Sequence, residues 1–274
     1  MKNVILFGYG NMGSSIGEAW LSEKLNFKFF VVEKNYKTRS EAIKKGFKSF
    51  QNFDELANTL KVENFDIIFL AVKPQQMSEA TEKFHLLNYN KTLFVSIAAG
   101  LSFSWFKSNI NENIKVVRAM PNLPVSVRRG VTGYCKSKNL TIDDEKNINI
   151  LLSAFGKLVF LHEECQIDVV TAISGSGPAY IFYFIEILEL ICKKEGLGAQ
   201  NAKTLAVETL LGSAKLLQKS DLDPQTLRKN VTSPGGTTEA GLQILASKKH
   251  GLYDLLNSSI KNAQKRASDL NKNN

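Results

Sequence analysis

The spacing of apolar residues along the chain changes near residue 163. Before that point, short apolar runs alternate with stretches whose apolar residues recur at helical spacing, the patterns of strands and helices. Strands that alternate with helices form parallel βαβ units, so we predict an α/β domain with a doubly wound parallel sheet over residues 1–163. The predicted strands are Val4–Phe7, Phe29–Val32, Ile67–Val72, Leu93–Ile97, Val116–Arg118, Gly130–Cys135 and Leu158–Phe160. The predicted helices are Ser14–Lys24, Thr38–Lys45, Asp54–Thr59, Gln76–Phe84 and Asp143–Phe155.

Residues 164–274 show helical patterns, and we predict a second, all-helical domain there. Its first helix, Gln166–Glu195, carries apolar residues on every side, among them Ile181, Phe184 and Leu188. A helix that is apolar all round is buried, either inside its own domain or against a partner subunit. Because a small domain offers little interior, the pattern favours burial against a partner subunit, and we expect a homo-oligomer.

The overall composition is that of an ordinary soluble protein. Of the 274 residues, 43% are hydrophobic and 22% are charged. No apolar run approaches the roughly 20 residues that a membrane span needs. The N-terminal run, Val4–Phe7, is too short for a signal peptide. We therefore expect a cytoplasmic protein with no membrane partner.

The net charge of +9 raises the question of nucleic-acid binding. The excess comes from scattered lysines, such as the pairs Lys44-Lys45 and Lys193-Lys194. Arginine, which suits bidentate contacts with phosphate and guanine, is scarce. We expect a solvated basic surface that can steer anionic ligands, and no nucleic-acid partner.

The cysteines and histidines suggest neither a metal site nor a nucleophile. Cys135, Cys165 and Cys192 are widely spaced and form no Cys-x-x-Cys pair, which predicts buried, reduced thiols. The histidines, at positions 85, 162 and 250, share no metal-ligand spacing. No metal-binding residues are predicted.

A glycine motif, Gly8-Tyr-Gly10-Asn-Met-Gly13, directly follows the first predicted strand and opens the first helix. In this context the glycines permit a tight turn, close approach of a pyrophosphate and helix–strand packing. Glu33 ends the second strand, where an acid accepts hydrogen bonds from a ribose and repels a 2′-phosphate. Lys34, Lys37 and Arg39 follow and could pair with that phosphate instead. We expect NADPH or NADH as cofactor, with a lean towards NADH.

Three further segments end predicted strands. Ala71-Val-Lys-Pro74 lies at a carboxyl strand edge, where the nicotinamide side of a dinucleotide binds. Ser96–Gly100 ends the next strand in small residues that suit contact with a flat ring, and Arg118–Asn122 places a charge before a turn. Each of the three is also compatible with an ordinary exit from a strand into a loop.

The segment Asn230–Thr238 reads Asn-Val-Thr-Ser-Pro-Gly-Gly-Thr-Thr and opens a predicted helix. It offers unpaired backbone N–H groups and hydroxyls but no side-chain charge. A helix start of this kind can hold a small anion such as a carboxylate.

Taken together, these segments resemble the pyrroline-5-carboxylate reductase family. The resemblance implies a Rossmann domain followed by a helical dimerisation domain, with dimers that often assemble into decamers. It also implies reduction of 1-pyrroline-5-carboxylate to L-proline by NAD(P)H, the last step of proline biosynthesis. The matching segments follow the family's order over nearly the whole chain: Gly8–Gly13, Ala71–Pro74, Ser96–Gly100, Arg118–Pro124, Ser174–Tyr180, Gly212–Lys215 and Val231–Thr238.

The glycine motif, Glu33 and the resemblance together assign roles to particular residues. Thr238 is the catalytic candidate, and its hydroxyl would bond the ring nitrogen of the substrate. We expect it to position the substrate first and relay a proton second, because a free Thr hydroxyl is a poor acid. The substrate-binding candidates are Asp221, Ser233, Gly236, Thr237 and Thr238. The cofactor-binding candidates are Phe7, Gly8, Tyr9, Gly10, Asn11, Met12, Gly13, Glu33, Asn52, Ala71, Val72, Lys73, Pro74, Ala98, Ala99, Gly100 and Asn230.

The chain departs from the family's pattern at three places. Val31–Asn35 differs from the turn that many members have there, so the family's cofactor preference does not carry over. Leu123 replaces a threonine common in the family. Glu239 places a carboxylate beside the predicted anion site, where it complements the helix dipole if it points outward and opposes substrate binding if it points inward.

Two other classes of function stay open at this point. Another imine reductase or a 3-hydroxyacid dehydrogenase usually has a catalytic Lys or Asp on its central helix, where this chain offers only Glu186. A non-catalytic NAD(P)-binding regulatory protein would have a degraded substrate loop, whereas Val231–Thr238 is intact.

Overall fold

The computed structural model describes residues 1–272, apart from the side chains at positions 63, 271 and 272. Over these residues, strands that alternate with helices form a β-sheet, and a series of helices follows. The strands are β1 (Lys2–Phe7), β2 (Phe27–Val32), β3 (Lys48–Phe50), β4 (Ile67–Leu70), β5 (Leu93–Ser96), β6 (Lys115–Met120), β7 (Gly130–Lys136) and β8 (Gly156–Phe160). The α helices are α1 (Asn11–Ser22), α2 (Tyr36–Lys44), α3 (Phe53–Thr59), α4 (Met77–Thr81), α5 (Phe103–Asn109), α6 (Ile142–Ser153), α7 (Gln166–Val170), α8 (Gly177–Lys194), α9 (Ala199–Lys219), α10 (Pro224–Asn230), α11 (Thr237–Leu245) and α12 (Leu252–Lys272).

The strands form one sheet in the order β3-β2-β1-β4-β5-β6-β7-β8. This order, which reverses direction at β1, confirms the predicted doubly wound α/β fold. All neighbouring strands are parallel except β6 and β7, which are antiparallel. The parallel pairing expected for the sheet therefore does not extend to this pair. Its connection holds only the short helical turn Leu123–Val127, which is too short for the crossover that parallel strands require.

Two elements were not foreseen from the sequence. Strand β3 has three residues, of which only Phe50 is buried. Its apolar pattern is therefore too short to be recognised as a strand in the sequence. Helix α5 is capped at its start by Ser102, whose hydroxyl accepts the Trp105 N–H at 3.1 Å. The segment predicted as a single helix over Gln76–Phe84 is instead a 3₁₀ turn at Pro74–Gln76 followed by the short helix α4.

The core lies on both faces of the sheet. Successive residues of β1 alternate between two buried clusters: Val4 and Leu6 belong to one, and Ile5 and Phe7 to the other. Trp20 of α1 is fully buried in the first cluster, and its indole N–H donates to the Leu151 carbonyl at 2.9 Å. Burial on both faces explains why these strands read as nearly continuous apolar runs.

The chain divides into two compact units, Met1–Ser176 with Ala263–Asn274, and Gly177–Asn262. The sheet unit thus extends past the predicted domain boundary at 163 and 164 to include α7. Ile167 of α7 is buried in a small cluster with Met120 and Cys135 of the sheet.

The helical unit exposes a large apolar surface in the single chain. No residue of α8 is buried, and Phe182, Tyr183 and Leu190 are among its exposed apolar side chains. The stretch Gln166–Lys194 is long and apolar enough to cross a membrane by length and composition alone. The expectation that no segment reaches that length is therefore wrong.

The cysteines are all free but differ in their surroundings. Cys135 is buried, and burial raises the pKa of its thiol to about 12. Cys192 is half-buried and Cys165 is exposed. The prediction of buried thiols is therefore wrong for Cys165 in the single chain.

Candidate active site

The glycine loop between β1 and α1 requires glycine at two of its three positions. Gly8 has a φ of +91°, and a Cβ there would lie 2.8 Å from the Ala71 carbonyl oxygen. A Cβ at Gly13 would lie 2.2 Å from the Gly8 carbonyl oxygen. Gly10 begins α1 with an ordinary φ of −66°, and a Cβ there would meet no atom within 4 Å. The space in front of Gly10 is therefore open to a ligand.

A cavity of about 490 Å³ lies beside this loop, at the carboxyl ends of β1, β2 and β4. Because carboxyl ends of parallel strands meet at one edge, a doubly wound sheet binds its ligands there. The structure brings together in its lining the predicted cofactor residues Phe7, Gly8, Gly10, Glu33, Asn52, Ala71, Val72 and Lys73.

The far wall of this cavity consists of residues that the sequence reasoning missed. Two ion pairs join parts of the lining: Lys34 Nζ lies 2.9 Å from Glu79 Oε2, and Lys83 pairs with Asp54. The short strand β3 leads into the Gln51–Asp54 part of this lining, so recognising that strand would have found this part, whereas Gln76–Lys83 follow β4 along the chain. The missed lining residues are Val32, Asn35, Gln51, Phe53, Asp54, Gln76, Glu79, Ala80, Glu82 and Lys83, whereas Lys34 was considered as a partner of a 2′-phosphate.

Two backbone hydrogen bonds fix the Glu33 carboxylate at the cavity. Its Oε2 accepts the Tyr9 N–H and its Oε1 accepts the Asn35 N–H, both at 2.8 Å. Arg39 Nη1 donates to the carbonyl oxygens of Glu33 and Lys34 at 2.8 and 3.1 Å. Arg39 and Lys34 therefore have partners within the chain, while the acidic group of Glu33 stays in the cavity lining.

The side chain of Tyr9 lies in the protein interior. It is 2% exposed and packs edge-on against Phe47 with ring centroids 5.5 Å apart. Burial, with smaller contributions from Glu18 and Glu41, raises the pKa of its phenol. Tyr9 therefore presents only its backbone to the glycine loop.

Other cofactor candidates near the cavity also have structural contacts. Met12 packs against one core cluster. Asn52 caps α3 through its Oδ1, which accepts the Glu55 N–H at 3.0 Å. Asn11 and Pro74 each adjoin a lining residue in the chain, but Asn11, Met12, Gly13 and Pro74 do not themselves line the cavity.

The Ala98–Gly100 segment follows β5 and is almost fully enclosed. Ala98 and Gly100 are buried, and Ala99 is half-buried. Gly100 has a φ of +75°, and a Cβ there would lie 2.9 Å from the Cβ of Leu270. The backbone at this position therefore requires glycine. The segment lies outside the lining of the cavity.

Two of the motifs without a predicted role meet through a side-chain contact. Asn122 Nδ2 donates to Ser174 Oγ at 3.2 Å, and Asn122 Oδ1 accepts the Val131 N–H at 2.9 Å. Asn122 thus links the end of β6 to β7 and to the segment before α8. Leu123, where the family commonly has threonine, is about half exposed.

In the helical unit, the predicted substrate loop joins α10 to α11. Gly235 has a φ of +72°, and the Gly236 N–H donates to the Ser233 carbonyl at 3.1 Å. A Cβ at Gly236 would lie 2.5 Å from Ser233 Oγ, so a larger residue there would displace this hydroxyl. Thr237 and Thr238 are the first two residues of α11, and both are exposed.

The direction of Glu239 is settled by a hydrogen bond. Its Oε2 accepts the Gly235 N–H at 2.7 Å, so the side chain reaches back across the start of α11. One backbone N–H of the loop is therefore taken by a carboxylate of the chain itself. This carboxylate also adds negative charge beside the predicted anion site.

The remaining candidates of the helical unit are exposed in the single chain. Asp221 lies in the link between α9 and α10, and Asn230 is the last residue of α10. Among the residues that the structure describes, no group of three or more His, Cys, Asp or Glu side chains could hold a metal ion.

Comparison with family models gives two matches. A model described as pyrroline-5-carboxylate reductase dimerisation matches residues 164–270. A model described as NADP oxidoreductase, coenzyme F420-dependent, matches residues 3–100.

Curated relatives and solved structures are similar over most of the chain. Pyrroline-5-carboxylate reductase 1 of Bacillus subtilis is 35% identical over 78% of this chain and 71% of its own length. The pyrroline-5-carboxylate reductase of Aquifex aeolicus is 33% identical over 95% of this chain and 96% of its own. The structure of the Coxiella burnetii enzyme has a TM-score of 0.88 at 30% identity, covering 98% of both chains. That of the Plasmodium falciparum enzyme, solved with NADP bound, has a TM-score of 0.82 at 28% identity and the same coverage.

Proposed function

Because this chain belongs to the pyrroline-5-carboxylate reductase family, we propose that its glycine-loop cavity binds the nicotinamide cofactor and its Asn230–Thr238 loop binds the imine substrate. The chain is an oxidoreductase that reduces 1-pyrroline-5-carboxylate to L-proline, the last step of proline biosynthesis. The observation that carries the assignment is that the sheet unit has the complete Gly8–Gly13 loop and the helical unit has the complete Val231–Thr238 loop. We also keep residues 1–163 and 164–274 as the two functional domains.

The residues at the cavity fit a dinucleotide. A Cβ at Gly8 or Gly13 would clash with backbone atoms, whereas the space in front of Gly10 is open. The end of β2 supplies Glu33 for a ribose, and Asn52, Ala71, Val72 and Lys73 complete the adjoining edge. A bound reduced nicotinamide would supply the hydride that adds to the carbon of the substrate C=N bond. Backbone N–H groups at the start of α1 would face the pyrophosphate.

The structure also supports a preference for NADH over NADPH. Glu33 is fixed by two backbone N–H groups in the cavity lining, and a 2′-phosphate placed beside its carboxylate would be repelled. Lys34 and Arg39, which could offset this repulsion, are engaged with Glu79 and with backbone carbonyls.

Replacing Glu33 with alanine tests the cofactor preference. We expect the ratio of kcat/KM for NADH to that for NADPH to fall at least about 10-fold, because one repulsive charge is removed near the 2′-position. Steady-state kinetics with both cofactors measure this ratio. Glu18 lies on α1 and pairs with Lys45. Glu18→Ala also removes one carboxylate and should leave the ratio unchanged. An unchanged ratio in Glu33→Ala would refute the assignment.

The substrate loop supplies neutral hydrogen-bond donors to a carboxylate. Ser233 Oγ lies against Gly236, and the exposed residues Thr237 and Thr238 start a helix, where a negative charge is stabilised. Thr238 Oγ would hydrogen-bond the ring nitrogen and hold its proton. Asp221 and Asn230 complete the proposed contacts, Asp221 with the substrate and Asn230 with the cofactor.

Glu239 is expected to weaken substrate binding. Its carboxylate occupies the Gly235 N–H and places a charge beside the carboxylate site. Glu239→Gln keeps an oxygen acceptor for that N–H but removes the charge. We expect the KM for the imine to fall about 3-fold with kcat unchanged, as suits one solvent-screened charge. Initial rates over a range of substrate concentrations give the answer, and a raised KM would show that the charge assists binding.

The direct test of the activity is a coupled cofactor assay. Oxidation of NADH or NADPH should depend on added 1-pyrroline-5-carboxylate, and a 3-hydroxyacid with the oxidised cofactor should give no turnover. Turnover of the hydroxyacid alone would favour a dehydrogenase of the other class.

The apolar surface of α8 fits burial between two copies of this chain. The dimerisation model covers residues 164–270, which include this exposed helix, and supports a homo-oligomer. We propose dimers, assembled further into decamers, in the cytoplasm, with the Gln166–Lys194 stretch covered by a partner rather than by lipid. Recovery of the native protein from the integral-membrane fraction would contradict the location.

Sedimentation velocity should therefore give an even multiple of the 30.5 kDa chain mass. Phe182→Glu places a charge on an α8 side chain that is 57% exposed in the single chain, and should shift the protein towards monomer. Ile142→Glu, at an exposed position of α6 in the sheet unit, is the matched control and should not. A monomeric wild type would refute the proposed assembly.

A further inference from the structure

Side chains anchor both ends of the loop that carries Ala98–Gly100. At the β5 end, Ser96 Oγ accepts the Ala98 N–H at 3.3 Å. At the other end, Glu164 Oε1 accepts the N–H of Phe103, the first residue of α5, at 2.6 Å. Between these anchors, Ala99 packs against the small buried cluster that includes Met120. One anchor is therefore local, whereas the other, Glu164, lies 61 positions away from Phe103 in the sequence.

Arg118 holds the Glu164 anchor. Its Nη1 donates to the same Glu164 Oε1 at 2.7 Å, and the Arg118 side chain is only 4% exposed. Arg118 pairs in register with Ser96 of β5 on one side and with Cys135 of β7 on the other. A charge-assisted hydrogen bond thus connects the middle of the sheet to the start of α5.

This pair is costly for the stability of the sheet unit. Arg118 Nη2 is buried and has no hydrogen-bond partner among the described residues, a situation that native proteins rarely leave without a reason. Burial of a charge is itself unfavourable unless its partner is well placed. A well-packed apolar pair would fill this position at lower cost, so a role beyond stability is called for.

We propose that Arg118 and Glu164 are positioning residues for hydride transfer, because they fix the start of α5 and thereby hold Ala98–Gly100 in place at the nicotinamide ring. This role rests on the proposed function and on the contact with a flat ring that the sequence predicts for Ser96–Gly100. A displacement of about 1 Å at a reacting centre can cost about 100-fold in rate. Fixing the loop backbone is therefore sufficient to affect turnover although neither side chain touches the substrate.

The test compares two ligands that differ only in the nicotinamide. NADH and ADP-ribose share the rest of the nucleotide. Calorimetry with both ligands therefore distinguishes an effect on nicotinamide binding at the loop from an effect on nucleotide binding in the cavity. Glu164→Ala removes the anchor, and Glu164→Gln keeps an acceptor without the charge. For Glu164→Ala we expect NADH affinity to fall about 10-fold, which corresponds to the loss of one charge-assisted hydrogen bond that orders the loop. The affinity for ADP-ribose should be unchanged. The turnover number should fall in both variants, with partial rescue in Glu164→Gln.

The surface pair Arg128–Glu23 offers a matched control. Its Nη1–Oε1 distance is 2.9 Å, and both side chains are about half exposed, so Glu23→Gln should change neither affinity nor turnover. A parallel loss of NADH and ADP-ribose affinity in Glu164→Ala would assign Glu164 a general structural role and overturn the proposal. Unchanged NADH affinity would overturn it as well. If the wild type binds NADH no more tightly than ADP-ribose, the assignment of the loop to the nicotinamide fails instead.

Discussion

Gly10→Ala is expected to abolish most cofactor binding while leaving the protein folded. A Cβ at Gly10 meets no protein atom within 4 Å, and the φ of −66° is one that alanine adopts freely. The added methyl group would instead occupy the space through which the pyrophosphate approaches the backbone. Overpacking of this kind should weaken NADH binding about 100-fold. Calorimetric titration with NADH and a thermal melt of the unliganded protein measure the two quantities.

Gly198 provides a matched control for Gly10. It begins α9 with a φ of −62°, and a Cβ there also meets no atom within 4 Å. Gly198→Ala should therefore alter Tm as little as Gly10→Ala does and leave NADH binding intact. If Gly10→Ala binds NADH as tightly as the wild type, the pyrophosphate does not lie at this loop.

Gly13→Ala should show the opposite behaviour. Its Cβ would lie 2.2 Å from the Gly8 carbonyl oxygen, and backbone cannot move aside cheaply. We expect a loss of at least about 3 kcal/mol in the free energy of unfolding. The contrast between two glycines three residues apart separates a ligand-contacting position from a packing position.

Thr238→Ala is expected to lower kcat/KM for 1-pyrroline-5-carboxylate about 100-fold, the lower end of what a positioned proton donor contributes. Thr238 is exposed at the second position of α11, so its loss should barely affect folding. Cofactor affinity should be unchanged, because the proposed cofactor cavity lies in the other unit. Thr238→Ser keeps the hydroxyl and should retain most of the activity.

Thr232→Ala is the control within the same loop. Its hydroxyl donates to the Arg228 carbonyl at 2.6 Å, and it has no proposed contact with the substrate. Both alanine variants remove one threonine hydroxyl from the segment, but only the Thr238 hydroxyl has a proposed contact with the substrate. Only Thr238→Ala should therefore affect catalysis. Full activity in Thr238→Ala would remove this residue from the mechanism.

The pattern of apolar residues was sufficient for the sheet and its helices because both faces of the strands are buried. It failed where local pattern carries little information. Strand β3 is short and mostly exposed, and its three residues read as loop. The antiparallel pairing of β6 and β7 depends on the length of one connection, which an apolar pattern does not report.

Chemistry that is local in the sequence was predictable from the sequence. The Gly8–Gly13 motif determines part of its own geometry, since Gly8 has a φ of +91° and the Gly8 carbonyl leaves no room for a Cβ at Gly13. The Ser233–Thr238 loop likewise places its hydroxyls and backbone at the start of a helix within a few residues. For the same reason, these two motifs predicted a dinucleotide site and an anion site, and the resemblance of seven segments to one family predicted the reaction.

Contacts between distant segments were decided by the tertiary structure. The burial of Tyr9, the reach of Glu239 back to Gly235 and the wall of the cavity around Glu79 depend on where helices and strands come together. The Arg118–Glu164 pair joins residues 46 positions apart, and its geometry exists only once the strands have paired. Spacing along a chain specifies what one loop can bind, whereas packing specifies which groups hold that loop still.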